Sequence, residues 1–363
     1  MRIALLSSVT PDPAGGELAR IVATAASALR ARGHTVLSVA PAPASATAAP
    51  GVARDQPAQG VDLGAPGLVP ALVARGAEVV HVYGWDVAYG DLVRRVASAL
   101  PVIVSLVGAD PSTLSGATEA LGAAQRVVFP SLAHLVRVRE HVALDKARVR
   151  IVSPGHGLAL PARRVMPRPF AGRGPLTILH PGPFDTDAGS DDLVAATAGL
   201  PAGSVRVWAF GAVPDGRRGA AGRALSESVV VMRRGAVSEV IALASECHLA
   251  ALPSRRQESY ALGLDEAFAL GLPAWVTCGA VASERFDRGA FQVLPAGDPG
   301  AWRAAIEGVL RAPRRLAEAF AGLPADVPTA ARAAAALEVL YTDVLTESTP
   351  LGADLRQGAG DAA

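Results

Sequence analysis

Short apolar runs alternate along the chain with longer amphipathic ones. Residues 2–7, 34–39, 78–82, 101–106, 126–129 and 148–152 are brief and rich in aliphatic side chains, as buried strands require. Between them, 15–32, 86–99 and 131–141 carry apolar positions at helical spacing. Residues 159–175 interrupt the rhythm with Pro161, Pro167, Pro169, Gly172, Gly174 and Pro175, a linker composition. The pattern then restarts, with strands expected at 176–180, 204–209, 228–231, 247–251, 273–277 and 291–294. Helices fit 190–199, 236–245, 259–270 and 298–311, and 327–346 reads as one long terminal helix. This alternation predicts two parallel sheets covered by helices, an α/β architecture. The Pro/Ala-rich stretch 41–66 reads as a surface excursion or mobile loop, and the small, polar tail 347–363 as disordered.

A length of 363 residues suits about two domains, and 50% hydrophobic residues suffice for two cores. The net charge of +1 gives no reason to expect a nucleic-acid or acidic-membrane partner. Cys247 and Cys278 form no close-set metal pattern and no disulfide framework, which suits a reducing cytoplasm. The opening MRIALLSS is too short for a signal-peptide core, and no apolar run reaches the ~18 residues of a membrane span. Lys146 is the one lysine among 34 basic residues, an Arg bias that, with the abundant Ala, points to a GC-rich bacterial genome.

The richest stretch is PSRRQESYALGLDEAFALGLP, residues 253–273, where Glu258 and Glu266 lie eight positions apart. Eight positions is a little over two helical turns, so a glutamate just before a helix and one inside it can address one spot. The Gly271 and Pro273 that follow end the helix, and residues 273–277 read as a buried strand.

This stretch resembles the glutamate–seven–glutamate signature of retaining GT-B glycosyltransferases, in the large family-four-like group that includes sucrose-phosphate synthase and bacterial mannosyl- and glucosyltransferases. The resemblance implies two Rossmann-like domains facing a cleft. Its expected boundaries are an acceptor domain at 1–160, a nucleotide-sugar domain at 161–326 and a helix at 327–346 that crosses back to the first domain. It implies that Glu258 lies by the donor sugar, that amides of Ser259, Tyr260 and Ala261 hold the diphosphate, and that Glu266 accepts the ribose hydroxyls. Helix N-terminal amides bind anions, which makes that assignment physically coherent.

Further segments extend the likeness. Gly15 and Gly16 resemble the family's glycine-rich opening loop, where backbone approaches the ligand without a side chain in the way. The absence of a G-x-G-x-x-G fingerprint weakens a dinucleotide oxidoreductase reading. Tyr83, Trp85 and Asp86 follow a strand end and are candidates for an acceptor pocket, while His81 inside that strand reads as structural. Asp110 either orients an acceptor group or caps the next turn. His156, in a Pro-Gly-His-Gly turn, reads as a solvated loop residue near the hinge. Arg234 and Gly235 fall where the family cradles the base.

The departures are as informative. The family's sugar-binding histidine is Val107 here, and its diphosphate-binding arginine and lysine are Pro183 and Ala188, aligned on Gly182 and Gly189. Asp185, Asp187, Asp191 and Asp192 stand nearby instead, and at an effective dielectric of 20 two like charges 4 Å apart repel by about 4 kcal/mol. Three explanations compete: Arg233, Arg234, Arg255 or Arg256 replace the cations, the acidic loop faces a cationic acceptor such as an aminocyclitol, or the donor site has decayed. Asp185-Thr186-Asp187 matches a D-x-D metal motif, but that motif belongs to another architecture, so no obligatory metal or cofactor is expected.

The resulting expectation is a cytoplasmic retaining glycosyltransferase. It would take a nucleotide-sugar donor and a small polar acceptor, an aminocyclitol or secondary-metabolite intermediate among the candidates. The alternative is a catalytically reduced homologue that binds or regulates a partner. A third, weaker option is another enzyme of two Rossmann domains, such as a sugar-nucleotide epimerase.

Overall fold

The computed structural model describes residues 1–12, 15–40, 59–60, 63–86, 89–163, 165–211, 228–233, 237–287 and 289–348. Most of the loop expected at 41–66 (residues 41–58 and 61–62), the base-cradling Arg234 and Gly235, and the tail from 349 onward lie outside these residues.

In the first half, β1 (Arg2–Ser7), β2 (Thr35–Ala40), β3 (Gln59–Gly60), β4 (Val79–Tyr83), β5 (Val102–Ser105), β6 (Arg126–Phe129) and β7 (Val149–Ile151) form one parallel sheet, ordered β3-β2-β1-β4-β5-β6-β7. In the second half, β8 (Leu176–His180), β9 (Val205–Gly211), β10 (Val229–Arg233), β11 (Leu249–Leu252), β12 (Ala274–Val276) and β13 (Phe291–Val293) form another, ordered β10-β9-β8-β11-β12-β13. β1 and β4 are buried along nearly their whole length, so their aliphatic runs meet helices on both faces. The strand order reverses between β1 and β4, and again between β8 and β11. Loops at the carboxyl ends of such strands border a crevice, which is where open parallel sheets hold ligands.

The helices are α1 (Glu17–Ala31), α2 (Leu68–Ala74), α3 (Tyr89–Ala97), α4 (Thr118–Ala123), α5 (Leu132–Val138), α6 (Ser190–Thr197), α7 (Val237–Ser245), α8 (Leu262–Ala269), α9 (Gly279–Ser283), α10 (Pro299–Arg311), α11 (Arg314–Ala321) and α12 (Ala330–Ser348). Sequence pattern anticipates α1, α3, α5, α6, α7, α8, α10 and α12; α2, α4, α9 and α11, of five to eight residues, fall outside the expected helices. β3 is a two-residue edge strand inside the stretch expected to be loop.

α12 returns to the first half and packs on α1. Leu337, Leu340, Tyr341 and Val344 share a core cluster with Ile3, Leu5, Ile21, Val22 and Leu29. Tyr260 and Leu262 of the second half enter the same cluster. At its centre His81 is fully buried, with Nδ1 2.7 Å from the Tyr341 hydroxyl and Nε2 2.7 Å from Ser105 Oγ. Burial pushes its pKa down to about 3, so it serves as a neutral strut.

The approach to α12 runs beside the first crossing between halves. His156 N donates to Pro328 O (2.9 Å), and Ala330 N donates to His156 O (2.9 Å). Gly155 has φ +67°, and a Cβ there would stand 2.4 Å from the Thr329 carbonyl carbon. His156 is therefore buried, not the solvated residue its loop suggested, because α12's leading segment covers it. Among the described residues no helix is long and apolar enough to cross a membrane.

Tyr341→Phe should cost about 1–3 kcal/mol in urea unfolding with unchanged m, because buried His81 loses its partner at Nδ1.

Candidate functional site

A cleft of about 1100 Å³ opens where the loops of the two crevices face each other. The first half contributes Gly16, Glu17 and Arg20 from the entry to α1, residues 108–112 after β5, and Arg137. The second half contributes His180, Gly182 and Pro183 after β8, and Arg256, Glu258, Ser259 and Ala261 after β11.

The segment before α8 is pinned by the first half. Arg137 Nη2 donates to Glu258 O (2.6 Å), Ser131 Oγ to Ser259 O (2.7 Å), Gly108 N to Ser259 Oγ (2.9 Å) and Gly155 N to Tyr260 Oη (3.2 Å). Tyr260 is fully buried; its hydroxyl donates to Asp265, and Arg285 lies 4.0 Å over its ring. Arg285 also donates to Tyr260 O (2.7 Å) and Asp265 Oδ1 (3.1 Å). Ala261, the residue preceding α8, has φ +64°, the one positive φ among the described non-glycine residues. A left-handed alanine is strained by roughly 1–2 kcal/mol, held here by the bonds on both sides.

The two glutamates take different positions. Glu258 lines the cleft. Glu266 is buried and forms an ion pair with Arg20 of α1 at 2.5 Å, so it meets the cleft through that guanidinium. Opposite Glu258 stands Glu17, a residue the sequence reading did not single out. Both line the cleft, and Glu17 Oε1 is buried without a hydrogen-bond partner. Burial, then the facing Glu258 carboxyl, hold the Glu17 pKa well above the usual carboxylate range. In sequence, an acidic residue in a helix's first turn is explained by the helix dipole alone, so nothing marked it.

Asp110 sits exposed on the rim. It accepts from Ser112 N (2.9 Å) and Ser112 Oγ (2.8 Å), capping a 3₁₀ turn, and those bonds hold its pKa below the usual range. Gly15 N donates to Asp12 O, and a Cβ at Gly15 would press on Ala19 at 2.8 Å, so the turn needs it; Gly16 faces open space in the cleft. Gly182 lines the cleft against His180, whose ring is fixed by Ala251 O and Ser190 Oγ, each at 3.0 Å.

Tyr83, Trp85 and Asp86 do not form part of the cleft wall. Tyr83 is buried and stacks on His81 at 4.2 Å, and Trp85 packs on the core of the first half. For Tyr83 the strand-end rule fails because α12 brings Tyr341 into the same core.

The acidic loop after β8 proves to be partly neutralised from within its own half. Arg255 grips buried Asp192 with both nitrogens, at 3.0 and 2.5 Å. Arg256 donates to Asp187 at 2.7 and 3.2 Å. Asp185 accepts from Ala188 N (2.6 Å), and Thr186 Oγ1 donates to Asp191 (2.8 Å). Thus Arg255 and Arg256 answer the extra aspartates. Among the described residues no group of three or more His, Cys, Asp or Glu side chains suits a metal ion.

Solved structures share this architecture. Sucrose-phosphate synthase from Thermosynechococcus elongatus superposes with a TM-score of 0.72 at 18% identity, covering 96% of this chain and 100% of that one. HepE from Anabaena, in complex with UDP and glucose, gives 0.67 at 14% identity, covering 96% and 100%. The catalytic domain of starch synthase IV from Arabidopsis thaliana, bound to ADP and acarbose, gives 0.65 at 11% identity, covering 95% and 99%. The chain has the GT-B fold: two Rossmann-like halves facing a cleft. No protein-family model matches the chain, and no curated protein matches its sequence.

Arg285→Met should destabilise the protein by about 3–5 kcal/mol in denaturant unfolding, since buried Asp265 loses its charged partner. Glu17 gives a pH signature. Folded, it keeps its proton to higher pH than in the unfolded chain, where release occurs near pH ~4.3. The folded state binds more protons in that window, so stability falls as pH rises through it. Glu17→Gln removes this contribution, so its melting temperature should fall less steeply than wild type as pH rises above the unfolded carboxyl's ~4.3.

Proposed function

We propose that the protein is a retaining glycosyltransferase that moves a sugar from a nucleotide-sugar donor to a small polar acceptor in the cytoplasm. The observation that carries this reading is the meeting of both crevices on one cleft, with Glu258 on its wall and the start of α8 behind it. HepE and starch synthase IV, which share the fold, were solved with UDP and glucose and with ADP and acarbose.

In this reading the sugar lies against Glu258, whose carboxylate stabilises developing positive charge at the anomeric carbon. The leaving phosphate takes the acceptor's proton on the same face, so the protein supplies position and field, with no covalent nucleophile. Amides of Ser259 and Ala261 face the diphosphate. Arg137, bonded to the Glu258 carbonyl and to His134 Nδ1 (3.3 Å), is the cleft guanidinium that can turn toward it. Glu266 accepts the ribose hydroxyls or positions Arg20 for the phosphates.

A second reading has its own support. Arg20 and Arg256 on the cleft wall are already committed to Glu266 and Asp187, and Val107, Pro183 and Ala188 offer no charge to a diphosphate. A catalytically reduced homologue that binds a partner would show that pattern.

Calorimetric titration with UDP, GDP, dTDP and ADP, with and without Mg²⁺, separates the readings. Saturable binding of one nucleotide is expected, and no binding by any of them would leave the reduced homologue standing. Glu258→Gln should lower kcat for sugar transfer by at least about 100-fold. Glu266→Ala should weaken nucleotide binding about tenfold; equal or tighter binding would assign Glu266 to holding Arg20 alone.

A further inference from the structure

The helix α5 is gripped by the half it does not belong to. Leu135 and Val138 join the core of the first half, yet Ala133 packs on the core of the second. Ser131, fully buried just before the helix, accepts from His134 N (3.0 Å) and donates to Ser259 O (2.7 Å). Arg137, near the other end, donates to Glu258 O (2.6 Å). The remaining donors of the first turn, Leu132 N and Ala133 N, meet a single carboxylate. Glu284 Oε1 accepts from Leu132 N at 3.1 Å, and Glu284 Oε2 accepts from Ala133 N at 2.8 Å. Glu284 closes α9 of the second half, so each of these bonds except that of His134 crosses between halves.

Glu284 is exposed, so burial does not hold it in place. Without its carboxylate, water would serve Leu132 N and Ala133 N, because that end of α5 is open to solvent at Leu132. What water cannot replace is the tie between halves. Two charge-assisted bonds to the two oxygens of one carboxylate fix direction as well as distance. They set α5 at the one position from which Ser131 and Arg137 reach the segment bearing Glu258. We propose that Glu284 is a positioning residue: it clamps α5 to the second half, so that Ser131 and Arg137 hold the carbonyls of Ser259 and Glu258 at the cleft wall. The clamp does not depend on the transferase reading; its effect on transfer, through Glu258, does.

Hydrogen–deuterium exchange of the ligand-free protein, resolved to single amides, reads the clamp at three places. Leu132 N and Ala133 N report the bonds themselves. Gly108 N donates to Ser259 Oγ (2.9 Å) from another loop and reports the segment that Glu284 does not touch. His156 N and Ala330 N report the paired crossings between halves. In Glu284→Ala, the first two places should exchange about tenfold faster or more, with the crossings unchanged and the melting transition intact. Glu284→Gln keeps one acceptor oxygen and should fall between wild type and Glu284→Ala. Freed Leu132 and Ala133 with Gly108 unchanged would reduce Glu284 to a local cap and overturn the proposal. Faster exchange at all three places would show general loosening, and no change at any place would show no clamp; either overturns it. Nucleotide titration of wild type decides the transferase reading separately. A protein that binds a nucleotide but leaves Gly108 unchanged in Glu284→Ala retains that reading and loses the clamp. A protein that frees Gly108 and binds no nucleotide does the reverse.

Discussion

The geometry of the cleft depends on one buried ion pair, Arg20 with Glu266. Each belongs to a different half, and both are almost fully removed from water. A lone charge at either position would be prohibitive, so the two halves are most stable where these groups meet. That contact sets α1 against α8 and brings the entry of one helix over the entry of the other. Glu17 and Glu258 then face each other because each lies within a few residues of a member of the pair or of its helix. The same closeness lets Gly108, Ser131 and Arg137 bind the backbone of residues 258–259.

The acidic loop shows how charge is arranged when a chain departs from a pattern. Pro183 and Ala188 leave no cation after β8, and four aspartates follow. The arginine pair in PSRRQE meets two of them: Arg255 closes on Asp192 and Arg256 on Asp187, while Arg255 N donates to Asp187 O at 2.9 Å. A Cβ at Gly189 would lie 2.0 Å from Pro253 O, so the two loops run in backbone contact. Loop and arginines lie together on the second half, with Pro183, Ala188 and Arg256 on the cleft wall.

The fold was largely legible in the sequence because its strands are buried on both faces and so read as aliphatic runs. The long helices show several turns of period, and α12 was readable for the same reason. The short helices carry too few turns, and β3 is too small to leave any pattern. The site was legible only where a residue's spacing carries information, as for Glu258. Tyr83 and His156 misled because their burial depends on α12, which arrives from more than 170 residues away. Glu17 was hidden for the opposite reason: its local explanation was sufficient, and its partner across the cleft has no mark in the chain.

The chain crosses between halves twice, once near residue 155 and once just before α12, and the bonds of His156 to Pro328 and Ala330 lay those crossings side by side. Two separate tethers would let the halves slide and twist; two tethers laced together act as one pivot. With α12 fastened to the first half through Tyr341 and His81, the second crossing is held at both ends of its path. Any opening of the cleft is therefore a swing about a single axis, like a book about its spine. Gly155, which admits the Thr329 backbone where no side chain would fit, is the stitch in that spine.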